Sequence, residues 1–105
     1  MPQFTIYRNK NPQTKSVFPL LLDIQSDLLE DLPTRAVIPL TQSGGIIQKP
    51  LTRLTPFVKV DGKAYMLLTY QLASIAKSVL GPAVSDASED RGAIIAALDF
   101  LVSGV

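Results

Sequence analysis

Imidazole and thiol are absent from this 105-residue sequence, so its chemistry must come from carboxylates, cations, hydroxyls and amides. A protein without them lacks the usual base at neutral pH and the commonest nucleophile pair, and its metal ligands are restricted to oxygens. This argues against a zinc or transition-metal site, and no catalytic residue, metal ligand or cofactor is assigned. Asp23 and Asp27 are spaced as paired carboxylates for acid–base work or for magnesium. They fall where a strand gives way to a loop, and solvated or hydrogen-bonded end residues are the preferred reading of both. Gly44-Gly45 lacks the surrounding Gly-x-x-x-x-Gly-Lys-Ser/Thr pattern of a phosphate cradle and is read as a turn. Arg8, Lys10 and Lys15 share one polar stretch, which serves equally as a solvated loop or as a face for an acidic partner.

The elements that must carry these groups are strands followed by one helix. Gln3 to Tyr7 alternates polar and apolar residues around Phe4 and Ile6, the pattern of a half-buried strand. Arg8 to Ser16, with Asn9, Asn11 and Pro12, is expected as an exposed loop. Val17 to Gln25 is a nearly continuous apolar run, a central strand with Pro19 at an edge or bulge. Arg35 to Leu40 predicts a further short strand with Pro39 near its end. Phe57 to Val60 and Lys63 to Leu68 flank Asp61-Gly62, two residues suited to positive φ, which predicts a type I′ hairpin. By propensity Ala64 to Leu80, closed by Gly81-Pro82, also fits a helix, but the hairpin makes its first half a strand. At the C-terminus Ile94, Leu98 and Leu101, with Ile95 and Val102 beside them, recur at helical spacing and are read most simply as core. Ser88, or Asp86 with Glu89 three positions on, is placed to cap that helix, and Gly104 to end it.

Composition bounds the rest. The length predicts a single domain over residues 1–105. With 47% hydrophobic and 18% charged residues, the chain has ample material for a core, and the surplus points to apolar surface covered in an oligomer. Ten basic residues balance nine acidic ones, so the broad positive field of a non-specific nucleic-acid binder is missing. Charge is nevertheless segregated, since 21–31 holds Asp23, Asp27, Glu30 and Asp31 and no cation. The start, Met1-Pro2-Gln3-Phe4, has neither a basic nor an apolar leader region, and no apolar run approaches membrane-spanning length. A cytoplasmic α+β protein that is not an enzyme is expected.

Several segments in order resemble the CcdB toxins. They are Leu22-Asp23-Ile24-Gln25-Ser26-Asp27-Leu28-Leu29, Val37-Ile38-Pro39-Leu40, Leu54-Thr55-Pro56 before a hairpin, Met66-Leu67-Leu68-Thr69, Leu72-Ala73-Ser74-Ile75, Val79-Leu80-Gly81 and a terminal helix ending in Gly104 and an aliphatic residue. The resemblance covers essentially the whole chain. It implies an SH3-like, five-stranded antiparallel sheet or barrel with a small three-stranded wing and a C-terminal helix, a fold shared with MazF-type ribonucleases. It further implies a homodimeric toxin that binds the DNA gyrase A subunit and traps the gyrase–DNA cleavage complex. A cognate CcdA-like antitoxin, whose disordered C-terminal segment folds on the toxin, would neutralise it.

Carried over by position, gyrase contact would fall to Leu28 and Leu29 and to Asp99, Val102, Ser103, Gly104 and Val105. Family members can have asparagine where Asp99 stands and tryptophan where Ser103 stands, so an aromatic anchor is missing here. The antitoxin is expected on other ground, at Arg8, Lys10, Lys15 and the apolar pair Ile46-Ile47, where cations and an aliphatic groove suit an acidic amphipathic segment. A sequence-specific MazF-type endoribonuclease is the alternative function on the same fold. It would require an arginine and a hydroxyl residue in a basic RNA groove, whereas the acidic stretches 21–31 and 86–99 lie where the partner surface is expected.

Overall fold

The computed structural model describes residues 2–42 and 53–104 of the chain. The turn chemistry of Asp61-Gly62 is realised: both residues take positive φ, 52° and 79°, which joins β4 (Phe57–Val60) to β5 (Lys63–Leu67) with Val60 opposite Lys63. A two-residue turn of this hand matches the twist of its strands. The remaining strands are β1 (Thr5–Asn9), β2 (Leu20–Asp23), β3 (Thr34–Gln42), β6 (Ala73–Ala76) and β7 (Leu80–Asp86), followed by α1 (Arg91–Ser103). All pairings are antiparallel, in the order β4-β5-β3-β2-β1-β7, with β6 also on β3.

The long strand β3 builds both parts of the expected SH3-like arrangement. Its first half, Thr34 to Val37, pairs with β6, and its last residues, Leu40 to Gln42, pair with β5. The main sheet is therefore β6-β3-β2-β1-β7, and the three-stranded wing is β3-β5-β4. Pro39 sits where β3 changes partners. It faces Leu21 on the β2 side, and its carbonyl accepts from Leu68 N at 2.9 Å on the other. A residue with no N–H is tolerated in mid-strand because the ladder has a gap there.

Every residue of β2 is buried, as a central strand covered on both faces requires. Leu20 and Leu22 join Ile6, Ile38, Leu40, Val58, Val60, Leu67 and Ile94 of α1 in the main core. Leu21 turns to the other face with Tyr7, Val37 and Leu80.

Some boundaries and environments differ from expectation. The first strand starts at Thr5 rather than Gln3 because Phe4 takes φ 69°, and it runs on to Asn9, whose N–H bonds Pro19 O at 3.0 Å. The second is only Leu20–Asp23, since residues 12–17 form turns and Pro19 brings no donor to a ladder. No helix forms over 64–80; 3-10 turns at Thr69–Gln71 and Lys77–Val79 bracket β6 instead. Neither Ser88 nor Asp86 is the cap: the N-caps of the 3-10 turn and of α1 are Ala87 and Asp90, neither with a side-chain cap bond, and Asp86 lies just before them, accepting from Ser88 N at 2.8 Å. That bond to the carboxylate holds its pKa below the ordinary aspartate value. Gly104, at φ 77°, closes the helix by donating to Phe100 O at 2.9 Å.

Asp23, expected as a solvated or hydrogen-bonded end residue, is of the hydrogen-bonded kind: it is fully buried at the end of β2 and forms an ion pair with the equally buried Arg35. Asp23 Oδ2 accepts from Arg35 Nη2 at 2.7 Å and Nε at 3.0 Å, and Oδ1 accepts from Gln25 N at 3.0 Å.

Removing one partner strands a buried charge, so Arg35→Met is expected to lower unfolding stability by roughly 3–5 kcal/mol. Combining it with Asp23→Leu should recover most of that loss, as urea unfolding midpoints would show. Alkaline stability should depend on Tyr7, whose phenol pKa is raised chiefly by burial, partly offset by a hydrogen bond with Thr5. Between the unfolded value near 10.0 and the higher folded one, the unfolded chain binds fewer protons than the native state. Stability therefore falls as pH rises through that window, and Tyr7→Phe should flatten the fall in denaturant titrations.

Candidate functional site

The loop leaving β2 is held by side chains rather than by a ladder. Gln25, buried, donates from Nε2 to Leu29 O at 2.9 Å and accepts at Oε1 from Ala36 N at 3.0 Å. Ser26 Oγ caps the 3-10 turn Asp27–Leu29 by accepting from Leu28 N at 3.2 Å. Gln3 ties the loop to the start of β1, its N–H donating to Asp27 Oδ1 at 2.8 Å and its Nε2 to Ile24 O at 3.0 Å. Farther along, Lys77 Nζ donates to Glu30 O at 2.8 Å. This frame presents Leu28 94% exposed and Leu29 49% exposed, with Leu32 nearby in sequence at 45%.

The end of α1 offers a second apolar surface beside a carboxylate. Ile94 and Ala97 are buried, and Ile95 and Leu98 pack on the main core. The apolar stripe does not stay core to its end, however. Leu101 is exposed and Val102 is 85% exposed, alongside exposed Asp99, Ser103 and Gly104. Ser103 Oγ donates to Asp99 O at 2.7 Å, folding its short side chain back on the helix. Arg53 lies over the Phe100 ring, 4.8 Å from its centroid, so the wing side touches the same turn. The expected gyrase residues thus occupy two elements, the 3-10 turn and the helix end. Val105 lies outside the described residues.

Arg8, Lys10 and Lys15 do come together. With Asn9, Pro19 and Pro82 they line a cleft of about 560 Å³ between the β1–β2 connection and β7. Asn9 organises the connection: Nδ2 donates to Thr14 Oγ1 and to Phe18 O, both at 2.9 Å, and Oδ1 accepts from Asn11 N at 2.9 Å. Gly81 fits closely beside it: a Cβ there would stand 3.1 Å from Arg8 O and from Lys10 Cγ, so those neighbours would have to give way. A smaller, more apolar hollow of about 200 Å³ adjoins at Asn9 and is lined by Phe18, Leu21, Val37, Pro39, Ile75 and Val79 among others. Ile46 and Ile47 lie outside the described residues.

Sequence reasoning missed Gln25, Gln3 and the Asp23–Arg35 pair. Ser26 was missed as a cap too, although its residue type carries a capping signal. Gln25 carried none, since an amide that bonds Leu29 O four residues on and Ala36 N eleven residues on follows no local pattern.

Among the described residues, no helix is long and apolar enough to cross a membrane. A solved structure of an endoribonuclease in complex with its cognate antitoxin, from a mycobacterial species, is similar in fold. It superposes with a TM-score of 0.75 at 11% identity, over 97% of this chain and 94% of that one. At such low identity the likeness concerns the fold and not the activity. The family model described as CcdB protein matches residues 3–104, and with that span the chain belongs to the CcdB family of toxins from toxin–antitoxin systems.

Proposed function

We propose that this protein is a homodimeric cytoplasmic toxin that binds the DNA gyrase A subunit and traps gyrase on cleaved DNA, with no catalysis of its own. The observation that carries the reading is the exposure of Leu28 and Val102, at 94% and 85%, on firmly held elements and next to Asp27 and Asp99. Apolar side chains that do no work in the monomer core, flanked by carboxylates, suit a partner surface that buries aliphatics and presents cations. Membership of the CcdB family points to the same surface, with Leu29, Ser103, Gly104 and Val105 completing it. The absence of histidine and cysteine from the sequence fits action by binding. In the homodimer, two-fold symmetry supplies each contact twice.

The antitoxin is placed on the cleft of Arg8, Lys10 and Lys15, with Ile46 and Ile47 as its apolar complement. Three cations around one cleft favour an acidic segment that orders on contact. Direct nucleic-acid binding is not part of the reading.

The test is incubation with gyrase, supercoiled DNA and ATP followed by denaturation. Linear DNA is expected from the full chain, and RNA cleavage in a parallel tube without it would establish the ribonuclease alternative. A chain ending at Val102 should melt within a few degrees of the full protein, because Ser103 and Gly104 are exposed at the end of α1 and pack on no part of the core. It should nevertheless fail to linearise DNA or arrest growth. A stable truncated protein that kills as well as the full chain would move the active surface elsewhere. Reversing the charges of Arg8, Lys10 and Lys15 should weaken capture by the antitoxin while leaving gyrase binding nearly intact, as titration calorimetry against each partner would record.

A further inference from the structure

Holding a loop still costs conformational entropy, and at Leu28 no core contact offsets that cost, since the side chain is 94% exposed. The return comes when a partner binds, because a surface already in its bound form need not be ordered then. Among the side chains that order the loop, one joins it to β3. Backbone pairing of β2 with β3 reaches its last bond beyond Asp23 at Ile24 N, which donates to Ala36 O at 3.0 Å. There the side-chain amide of Gln25 takes over. Its Oε1 accepts from Ala36 N at 3.0 Å, and its Nε2 reaches forward to Leu29 O at 2.9 Å. The backbone N–H of Gln25 is itself fixed to Asp23 Oδ1, the oxygen opposite the one that Arg35 grips. The chain of contacts thus runs from the buried ion pair through Gln25 to the carbonyl of Leu29.

We propose that Gln25 is a positioning residue of the gyrase-binding surface: by clasping β3 at Ala36 and the turn at Leu29, it sets the direction in which Leu28 and Leu29 project before the partner arrives. The inference rests on the gyrase reading of those two leucines. The bonds from Gln3 and the cap at Ser26 keep the loop folded when the clasp is lost, so the effect of Gln25 can be isolated.

Gln25→Glu is the informative substitution. A carboxylate still accepts from Ala36 N but offers Leu29 O no donor, and two oxygens of like charge repel. A neutral carboxylic acid has one O–H and restores the donor. At pH 7.5 the variant should bind the gyrase A subunit about tenfold more weakly than the wild type, as when the competent loop is populated about a tenth of the time. The amides of Leu28 and Leu29 should exchange faster, and affinity is compared at a temperature where both proteins are folded, because a carboxylate at this buried position lowers the melting temperature. Expressed as a ratio to the wild type at each pH, the lost affinity should return as pH falls toward the glutamate pKa. A merely structural role would not give that recovery.

Leu28→Ser, measured alongside, separates the two claims. If it binds gyrase as tightly as the wild type, the gyrase reading of this surface fails and the positioning role falls with it. If Leu28→Ser loses binding while Gln25→Glu keeps it, or loses it equally at every pH relative to the wild type, the positioning role alone is overturned. Should Gln25→Glu melt far below the wild type, Gln25→Met serves at a temperature where both proteins are folded. Full affinity in that variant, which has neither hydrogen bond, also overturns the role.

Discussion

The buried ion pair between Asp23 and Arg35 is the constraint on which the rest of the molecule depends. Both residues are fully shielded from water, so each leaves a costly unpaired charge if the other is removed. Asp23 ends β2 and Arg35 lies near the start of β3, and the loop joining those strands is the one that lifts Leu28 from the surface. A fork of two hydrogen bonds onto one carboxylate oxygen fixes direction as well as distance. The other oxygen is left to orient the backbone of Gln25. A hydrophobic pair of similar volume would hold the strands together but would leave the exit direction of the loop unspecified. That is a physical reason to keep a charged pair in a site where charge is costly.

The same logic explains how much of the fold could be read from the sequence. The β4–β5 hairpin was legible because Asp61-Gly62 encodes its own turn, and the main core because Leu20, Leu22, Ile38 and Leu40 follow the strand period. Boundaries failed where a distant partner decides them. Asn9 looks like a loop residue, yet its N–H finds Pro19 O across the sheet. Asp23 reads as a strand end, solvated or hydrogen-bonded, and it is Arg35 of the next strand that decides between the two. Phe4 adopts a backbone conformation that its type disfavours, held by bonds from its N–H to Asp23 O and from Ala87 N to its carbonyl. The candidate surfaces were legible in part. The cations of the first connection share a polar stretch and do converge, whereas the helical period of Leu101 and Val102 says only that they lie on a helix. Where the helix outruns the core, apolar residues become surface, and periodicity cannot reveal that point.

The likeness to an endoribonuclease at 11% identity sharpens the distinction between scaffold and site. Sheet, wing and helix require only apolar residues at the right period, a turn at Asp61-Gly62 and a tolerated proline where β3 changes partners. None of these dictates what the exposed turn, the helix end or the cationic cleft must carry. Evolution can therefore change the last turn of α1, or the charges around the first connection, without disturbing Leu22 or Ile38. Function on such a scaffold is a property of side chains that the core does not use.

On the proposed reading, separate surfaces for gyrase and antitoxin suit a toxin that must be both potent and removable. If the antitoxin occupied the exposed leucines themselves, it would have to outcompete gyrase for each of them, and release would wait on spontaneous dissociation. On that reading the cleft lined by Arg8, Lys10 and Lys15 would offer an independent foothold, where an acidic segment is steered by charge while gyrase is still bound. Asn9 and Gly81 hold the cleft between β1 and β7, and Thr5 and Asp86 at the far end of that strand pair lie next to the approach to α1.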